Sequence, residues 1–203
     1  MDITALLRSK PAKPLIFILC LLPLSGLIWS AFYGGLGANP VEAITHQTGR
    51  WALKFLLITL AVSPLRQWFG LPVLMRFRRM LGLYAFFYAC CHFTVWLAAD
   101  HSFDFAGMFE DIIDRPYITA GFSALLLLIP LAVTSNQAMV KRLGRRWKTL
   151  HKLTYVITML AILHFIWSVK ADYLEAGIYT VIAIGLLLQR APIKKWLAIK
   201  ATV

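Results

Sequence analysis

The sequence predicts an all-α integral membrane protein, a bundle of six transmembrane helices with both termini in the cytoplasm. Three observations predict it. The 203 residues are 60% hydrophobic and only 15% charged, with a mean hydropathy of +0.70, whereas soluble domains run at about 45–50% apolar and about 25% charged. The apolar residues fall into six runs, and a helix needs about 20 of them to cross a hydrocarbon core of about 30 Å. The charges are sorted between alternate connections. Helices rather than strands follow because backbone groups in lipid must be satisfied within their own segment. No alternating ten-residue pattern marks a barrel.

The runs follow in order. The first, at 14–33, is preceded by Arg8, Lys10 and Lys13. A signal peptide starts in the same way, but its apolar core has only about 7–15 residues. This run is longer and is expected to be retained as a span. The second, 51–68, is bracketed by Trp51 and Trp68. The third, 79–98, opens on Arg79 and carries His92. The fourth is 117–134, the fifth 150–169 with His151 and His164, and the shortest is 176–189. They form a single transmembrane domain. Residues 34–50 and 99–116 read as loops, the second acidic and the longest between spans.

The connections set the orientation. Seventeen basic residues and one acid, Asp2, fall on the side of the two termini. Arg50, Lys54, Arg115 and Lys170 share the other side with eight acids, including Glu42, Asp104, Asp111 and Glu175. The positive-inside rule places the basic side, with both termini, in the cytoplasm. All seven tryptophans (29, 51, 68, 96, 147, 167 and 196) lie near span ends, as amphipathic rings do at an interface. The net charge of +12 therefore describes topology. It does not mark a nucleic-acid surface, because long apolar runs separate the basic clusters. Cys20, Cys90 and Cys91 show no C-x-x-C spacing, so neither a disulfide framework nor a zinc site is expected.

Histidines carry the chemistry. His46 and His101 fall in the expected outer loops and read as solvated side chains. His92 and His164 lie inside apolar runs, where an ionisable residue is a functional candidate. Spans three and five run in the same direction, and the two histidines lie equally deep. Two imidazoles at one level can clamp a haem iron from both faces, a ligation that favours electron transfer over oxygen chemistry. His151 lies about 20 Å below His164 along an ideal helix, a spacing suited to a second haem. Two difficulties attend it. Thirteen residues leave the two rings about 140° apart, so an irregular first turn at His151 is needed. The matching position on span three is Arg78, followed by Arg79, and a charged guanidinium is a poor iron ligand. Arg78 and Arg79 suit a haem propionate or a flavin phosphate instead, with Arg145 and Arg146 extending the same basic face, although topology alone also accounts for such charges. No acid lies in the spans near these histidines to complete a zinc site.

The pattern resembles the ferric-reductase-like transmembrane superfamily, which includes NADPH oxidases, and within it the MsrQ family. The matching stretches are Gly34-Gly35-Leu36-Gly37-Ala38-Asn39-Pro40, Thr48-Gly49-Arg50, Arg78-Arg79-Met80-Leu81-Gly82, Arg115-Pro116-Tyr117, Gly144-Arg145-Arg146-Trp147 with Leu150-His151, and His164 through Trp167-Ser168-Val169-Lys170. They cover nearly the whole chain. The resemblance implies a haem b subunit, with one or two haems on His92, His164 and His151, that passes electrons across the inner membrane to a periplasmic MsrP-like molybdopterin enzyme. That enzyme reduces methionine sulfoxide in oxidised proteins, a reversible lesion. The implied donor is the quinone pool or a cytoplasmic flavin reductase, with FMN as an associated cofactor. The chain departs from the NADPH-oxidase pattern by placing Arg78 where a fourth histidine stands, and by lacking an FAD/NADPH domain. Two other functions fit the residues: a quinone-linked or ferric-reductase-type cytochrome b with another acceptor, and a transporter or proton channel. For the last, Pro23, Pro64 and Pro130 would break helices, but no internal repeat is visible in the sequence.

Overall fold

The computed structural model describes residues 3–169 and 173–190. Asp2, Lys170, Asp172, Lys194, Lys195, Trp196 and Lys200, which enter the charge and tryptophan arguments, lie outside the described residues. The described residues form ten α-helices and no strand. These are α1 (Ile3–Arg8), α2 (Ala12–Phe32), α3 (Pro40–Trp68), α4 (Met75–Val95), α5 (Phe105–Asp114), α6 (Pro116–Val133), α7 (Gln137–Leu143), α8 (Arg145–Leu150), α9 (Leu153–Ser168) and α10 (Leu174–Leu188). The six apolar runs fall on helices, the fifth crossing the break between α8 and α9. Four stretches are long and apolar enough to cross a membrane: Ala12–Phe32, Pro72–Asp100, Pro116–Val133 and Arg145–Ser168. The second run is the rear of α3, whose front carries charges. The sixth is α10, whose 15 residues extend about 22 Å.

Two expected loops contain helix. Residues 40–50, with His46, are the front of α3. Asn39 accepts the Glu42 N–H at 3.3 Å and donates to the Glu42 carboxylate at 3.0 Å, while Pro40 takes the first helical position, where its missing N–H costs nothing. The acidic connection contains α5, capped by Asp104, whose carboxylate accepts the Ala106 N–H at 3.0 Å. It buries Met108 and Ile112. Pro116 then opens α6.

The closest helix pairs are α3 with α4 and α6 with α9, joined to each other by contacts of α4 with α6 and of α3 with α9. An aromatic cluster of Phe55, Tyr84 and Tyr88 fills the first pair. Leu53, Leu57 and Leu60 of α3 meet Ile162 of α9 and Ala183 and Leu186 of α10. α2 buries only Ala12 and Cys20 and exposes Leu15, Phe17, Ile18, Leu19 and Leu22, the outward apolar surface that suits lipid.

Polar groups in this interior are handled locally. The buried polar side chains among the described residues are all threonines: Thr48, Thr59, Thr134, Thr154 and Thr158. Each hydroxyl donates to a carbonyl three or four residues back, at 2.6–2.8 Å, as an apolar environment demands. The helical prolines are treated differently. Pro64 has no N–H to give the Leu60 carbonyl four residues earlier, and the Arg190 guanidinium donates to that carbonyl instead. Beside Pro23, the Tyr88 hydroxyl donates to the Cys20 carbonyl at 2.9 Å and accepts the Leu24 N–H at 3.2 Å. It thereby enters the i, i−4 ladder of α2, a recognised cause of helix bending.

Candidate metal centre

His92, near the end of α4, and His164, near the end of α9, face each other with ring centroids 6.0 Å apart and planes at 71°. His92 Nδ1 lies 2.9 Å from the Thr45 carbonyl of α3. His164 Nδ1 lies 2.7 Å from the Tyr117 carbonyl of α6. A carbonyl can only accept, so each Nδ1 carries the proton, and in a neutral imidazole Nε2 is then left with its lone pair. Among the described residues no group hydrogen-bonds either Nε2, and both side chains are partly exposed. This is how metal-binding histidines are oriented, with the remote nitrogen tied to a carbonyl and the tautomer thereby fixed.

The spacing fits an ion held between the rings. Two metal–nitrogen bonds of about 2 Å each, with roughly 1 Å from each nitrogen to its ring centre, place the centroids about 6 Å apart. Two neutral nitrogen donors from different helices, with no carboxylate or thiolate among them, would suit a haem iron better than zinc, which takes three or four protein ligands. Among the described residues no group of three or more His, Cys, Asp or Glu side chains could hold a metal ion.

The helices that supply the carbonyls approach closely. Gly49 of α3 lies against the His92 ring and Gly121 of α6 against the His164 ring. The start of α6 is held by α5: the Thr119 hydroxyl donates to the Ile112 carbonyl, and Arg115 pairs with Asp111 at 3.1 Å, which also faces His101 at 3.3 Å. Tyr117 and then Asp111 raise the Arg115 pKa above its ordinary value. Just past His92 the helix widens into a π turn over Trp96–Asp100, a distortion common at functional sites.

The other site residues gather elsewhere. His151 sits in the break between α8 and α9, so the helix is irregular at the point where the 140° misfit requires it to be. Its ring stacks on Trp147 at 3.8 Å. Nδ1 lies 3.2 Å from the Trp147 carbonyl and Nε2 lies 3.4 Å from the Ser135 hydroxyl. Arg78 and Arg79 lie within electrostatic reach of His151, and Arg78 also of Arg190 and Tyr155. Arg145 and Arg146 are exposed on α8. His46 is exposed on α3 beside Thr45. Sequence reasoning missed the roles of the Thr45 and Tyr117 carbonyls, of Gly49 and Gly121, and of Arg190. Gly49 and Tyr117 lie in stretches singled out above; Gly121 and Arg190 do not.

The chain matches the family described as ferric reductase like transmembrane component over residues 48–162, more than half its length. A protein of Xanthomonas euvesicatoria pv. vesicatoria (strain 85-10), named protein-methionine-sulfoxide reductase heme-binding subunit MsrQ, is 52% identical over 182 residues, covering 87% of this chain and 84% of its own. Its namesake in Herminiimonas arsenicoxydans is 52% identical over 181 residues, covering 88% and 83%. That of Xanthomonas oryzae pv. oryzae (strain MAFF 311018) is 50% identical over 186 residues, covering 89% and 85%. No solved structure matches. Identity at this level over most of both lengths, on a helical bundle that brings two imidazoles to 6.0 Å from each other, means that the chain belongs to the MsrQ family of ferric-reductase-like transmembrane proteins.

Proposed function

We propose that this chain is a haem b subunit of a methionine sulfoxide reductase system. It carries electrons across the bacterial inner membrane, from quinone or a flavin donor, to a periplasmic MsrP-like molybdopterin enzyme. The observation that carries the reading is the His92–His164 pair, with both Nδ1 atoms spent on carbonyls and the rings 6.0 Å apart. The relatives' printed name, a heme-binding subunit of protein-methionine-sulfoxide reductase, supports the system to which it belongs. Haem iron with two imidazole ligands has no open position and serves electron transfer.

The protein's part is to hold and orient. His92 and His164 would hold the haem iron through their Nε2 atoms, and the Thr45 and Tyr117 carbonyls fix their tautomers. His151, with Arg78 and Arg79 near it, is the candidate for a second haem or for the site where FMN enters, the guanidinium groups meeting propionate or phosphate. Arg145 and Arg146 add to the same basic face. The six-span topology with both termini in the cytoplasm is supported by the sorting of charge. It makes the rear of α3 the second span and α10 the sixth, and places His92 and His164 toward the periplasm.

Purified protein is expected to show a b-type haem spectrum. His92→Ala and His164→Ala are each expected to strip that haem while leaving folded protein, and His46→Ala to retain it. A colourless wild-type preparation from haem-replete cells refutes the reading. Haem loss in His46→Ala but not in His92→Ala refutes the site. Reduced protein mixed with purified MsrP is expected to reoxidise; failure to do so assigns another acceptor.

A further inference from the structure

The two imidazoles are mounted by the same device. On α3, the carbonyl of Thr45 receives His92 and Gly49 stands four residues later; on α6, the carbonyl of Tyr117 receives His164 and Gly121 stands four residues later. The histidine follows its carbonyl by 47 residues in both cases. Residues i and i+4 of a helix lie one above the other on a single face, so carbonyl and glycine together form a flat seat for a ring. The repeat is one of geometry; the intervening residues show none.

We propose that Gly49 and Gly121 are positioning residues, whose missing side chains set where the two metal-facing nitrogens lie. A Cβ at position 121 would stand 2.7 Å from His164 Nδ1, 2.9 Å from Cε1 and 3.0 Å from Cγ; at position 49 it would stand 3.1 Å from both His92 Nδ1 and Cε1. Ordinary contact begins near 3.4 Å. A ring facing a substituted position 121 must therefore retreat by about 0.7 Å, and one facing position 49 by about 0.3 Å. Functional geometry tolerates displacements of about 0.5 Å, so the two sites fall on opposite sides of that limit. Neither ring can slide freely, because its Nδ1 is held at hydrogen-bond distance by the same helix that carries the glycine. Other glycines differ: a Cβ at Gly82, on the helix of His92, would meet Thr59 at an ordinary 3.6 Å, and one at Gly185 would meet nothing within 4 Å.

The inference rests on the haem reading above. Its test uses full-length purified holoprotein with Gly121→Ala, Gly49→Ala and Gly82→Ala. The readouts are haem per protein, the low-spin ferric spectrum and the midpoint potential. Gly121→Ala is expected to weaken haem retention by about 10–100-fold, the range for groups that orient metal ligands. Gly49→Ala is expected to keep its haem with a shifted ferric spectrum and potential. Gly82→Ala is expected to match the wild type in all three. If Gly121→Ala does not accumulate, the shift in Gly49→Ala decides. Wild-type stoichiometry and spectra in both variants overturn the proposal while leaving the haem reading intact. So does a loss in Gly82→Ala equal to that in Gly121→Ala. A colourless wild type overturns both readings.

Discussion

The bond between Arg190 and the Leu60 carbonyl can be tested by making it unnecessary. Leu60 is fully buried, and Pro64 deprives its carbonyl of the usual helical donor. Arg190 replaces that donor, with its guanidinium carbon 5.6 Å from the Tyr155 ring centre and one nitrogen donating to the Tyr155 hydroxyl at 3.4 Å. A hydrogen bond from a charged group contributes about 1.5–3 kcal/mol in soluble proteins, whereas bonds between membrane helices average about 0.6 and reach about 1.7 kcal/mol. Arg190 is partly exposed, so Arg190→Ala is expected to cost about 1–2 kcal/mol, bounded by these two ranges. Pro64→Ala returns an N–H to the ladder, directly below the orphaned carbonyl. In that background the cost of Arg190→Ala is expected to fall to about 0.5 kcal/mol or less, which is a coupling of about 1 kcal/mol in a double-mutant cycle. The assay is reversible unfolding in mixed micelles, followed by circular dichroism for wild type, both single variants and the double variant. An equal cost of Arg190→Ala in the two backgrounds refutes the reasoning, whatever Pro64→Ala does by itself.

Three further outcomes follow from the packing. Tyr88→Phe removes two bonds to the backbone of α2 and is expected to cost about 0.6–1.7 kcal/mol in the same unfolding assay; Tyr84→Phe, whose hydroxyl makes one bond to the Phe17 carbonyl at 2.8 Å, should cost less, and the reverse order would count against the ladder insertion. Gly144 joins α7 to α8 at φ +50°, ψ −120°, so Gly144→Ala is expected to lose about 1–3 kcal/mol; an unchanged melting curve would show that the turn adapts. Glu175→Gln breaks the 3.2 Å pair with Arg50, but both side chains are about one-third exposed or more, so the effect should stay within about 1 kcal/mol, and a larger loss would show that this pair governs the docking of α10.

The sequence revealed what is carried by the type of residue and hid what is carried by the backbone. His92 and His164 stood out because an imidazole within an apolar run is costly enough to need a reason. The carbonyls of Thr45 and Tyr117 belong to every residue alike and have no letter of their own. Gly49 and Gly121 were masked because glycine is common in membrane helices, and only the approach of a ring shows why these two differ from Gly185. The front of α3 read as a loop because Glu42, His46 and Arg50 interrupt the apolar pattern, although Asn39, Pro40 and Glu42 form a readable cap. The break at His151 entered only as a misfit of 140°. Arg190 and Leu60 lie 130 residues apart, so nothing local joins them.

The mounting of the histidines has a mechanical consequence. His92 is fastened within the α3/α4 pair and His164 within the α6/α9 pair, so the gap between the rings is a distance between two leaves of the bundle. On the proposed reading, an iron held between the two imidazoles would act as a bolt through both leaves. Its binding energy would add to the cohesion of the fold, by about 2.7 kcal/mol when the ligand stands at a hundred times its dissociation constant. The two leaves already share a buried core, in which Leu53, Leu57 and Leu60 of α3 meet Ile162 of α9, so the cofactor would tighten a bundle that is already closed. A chain without haem would keep its fold and lose only this added fastening.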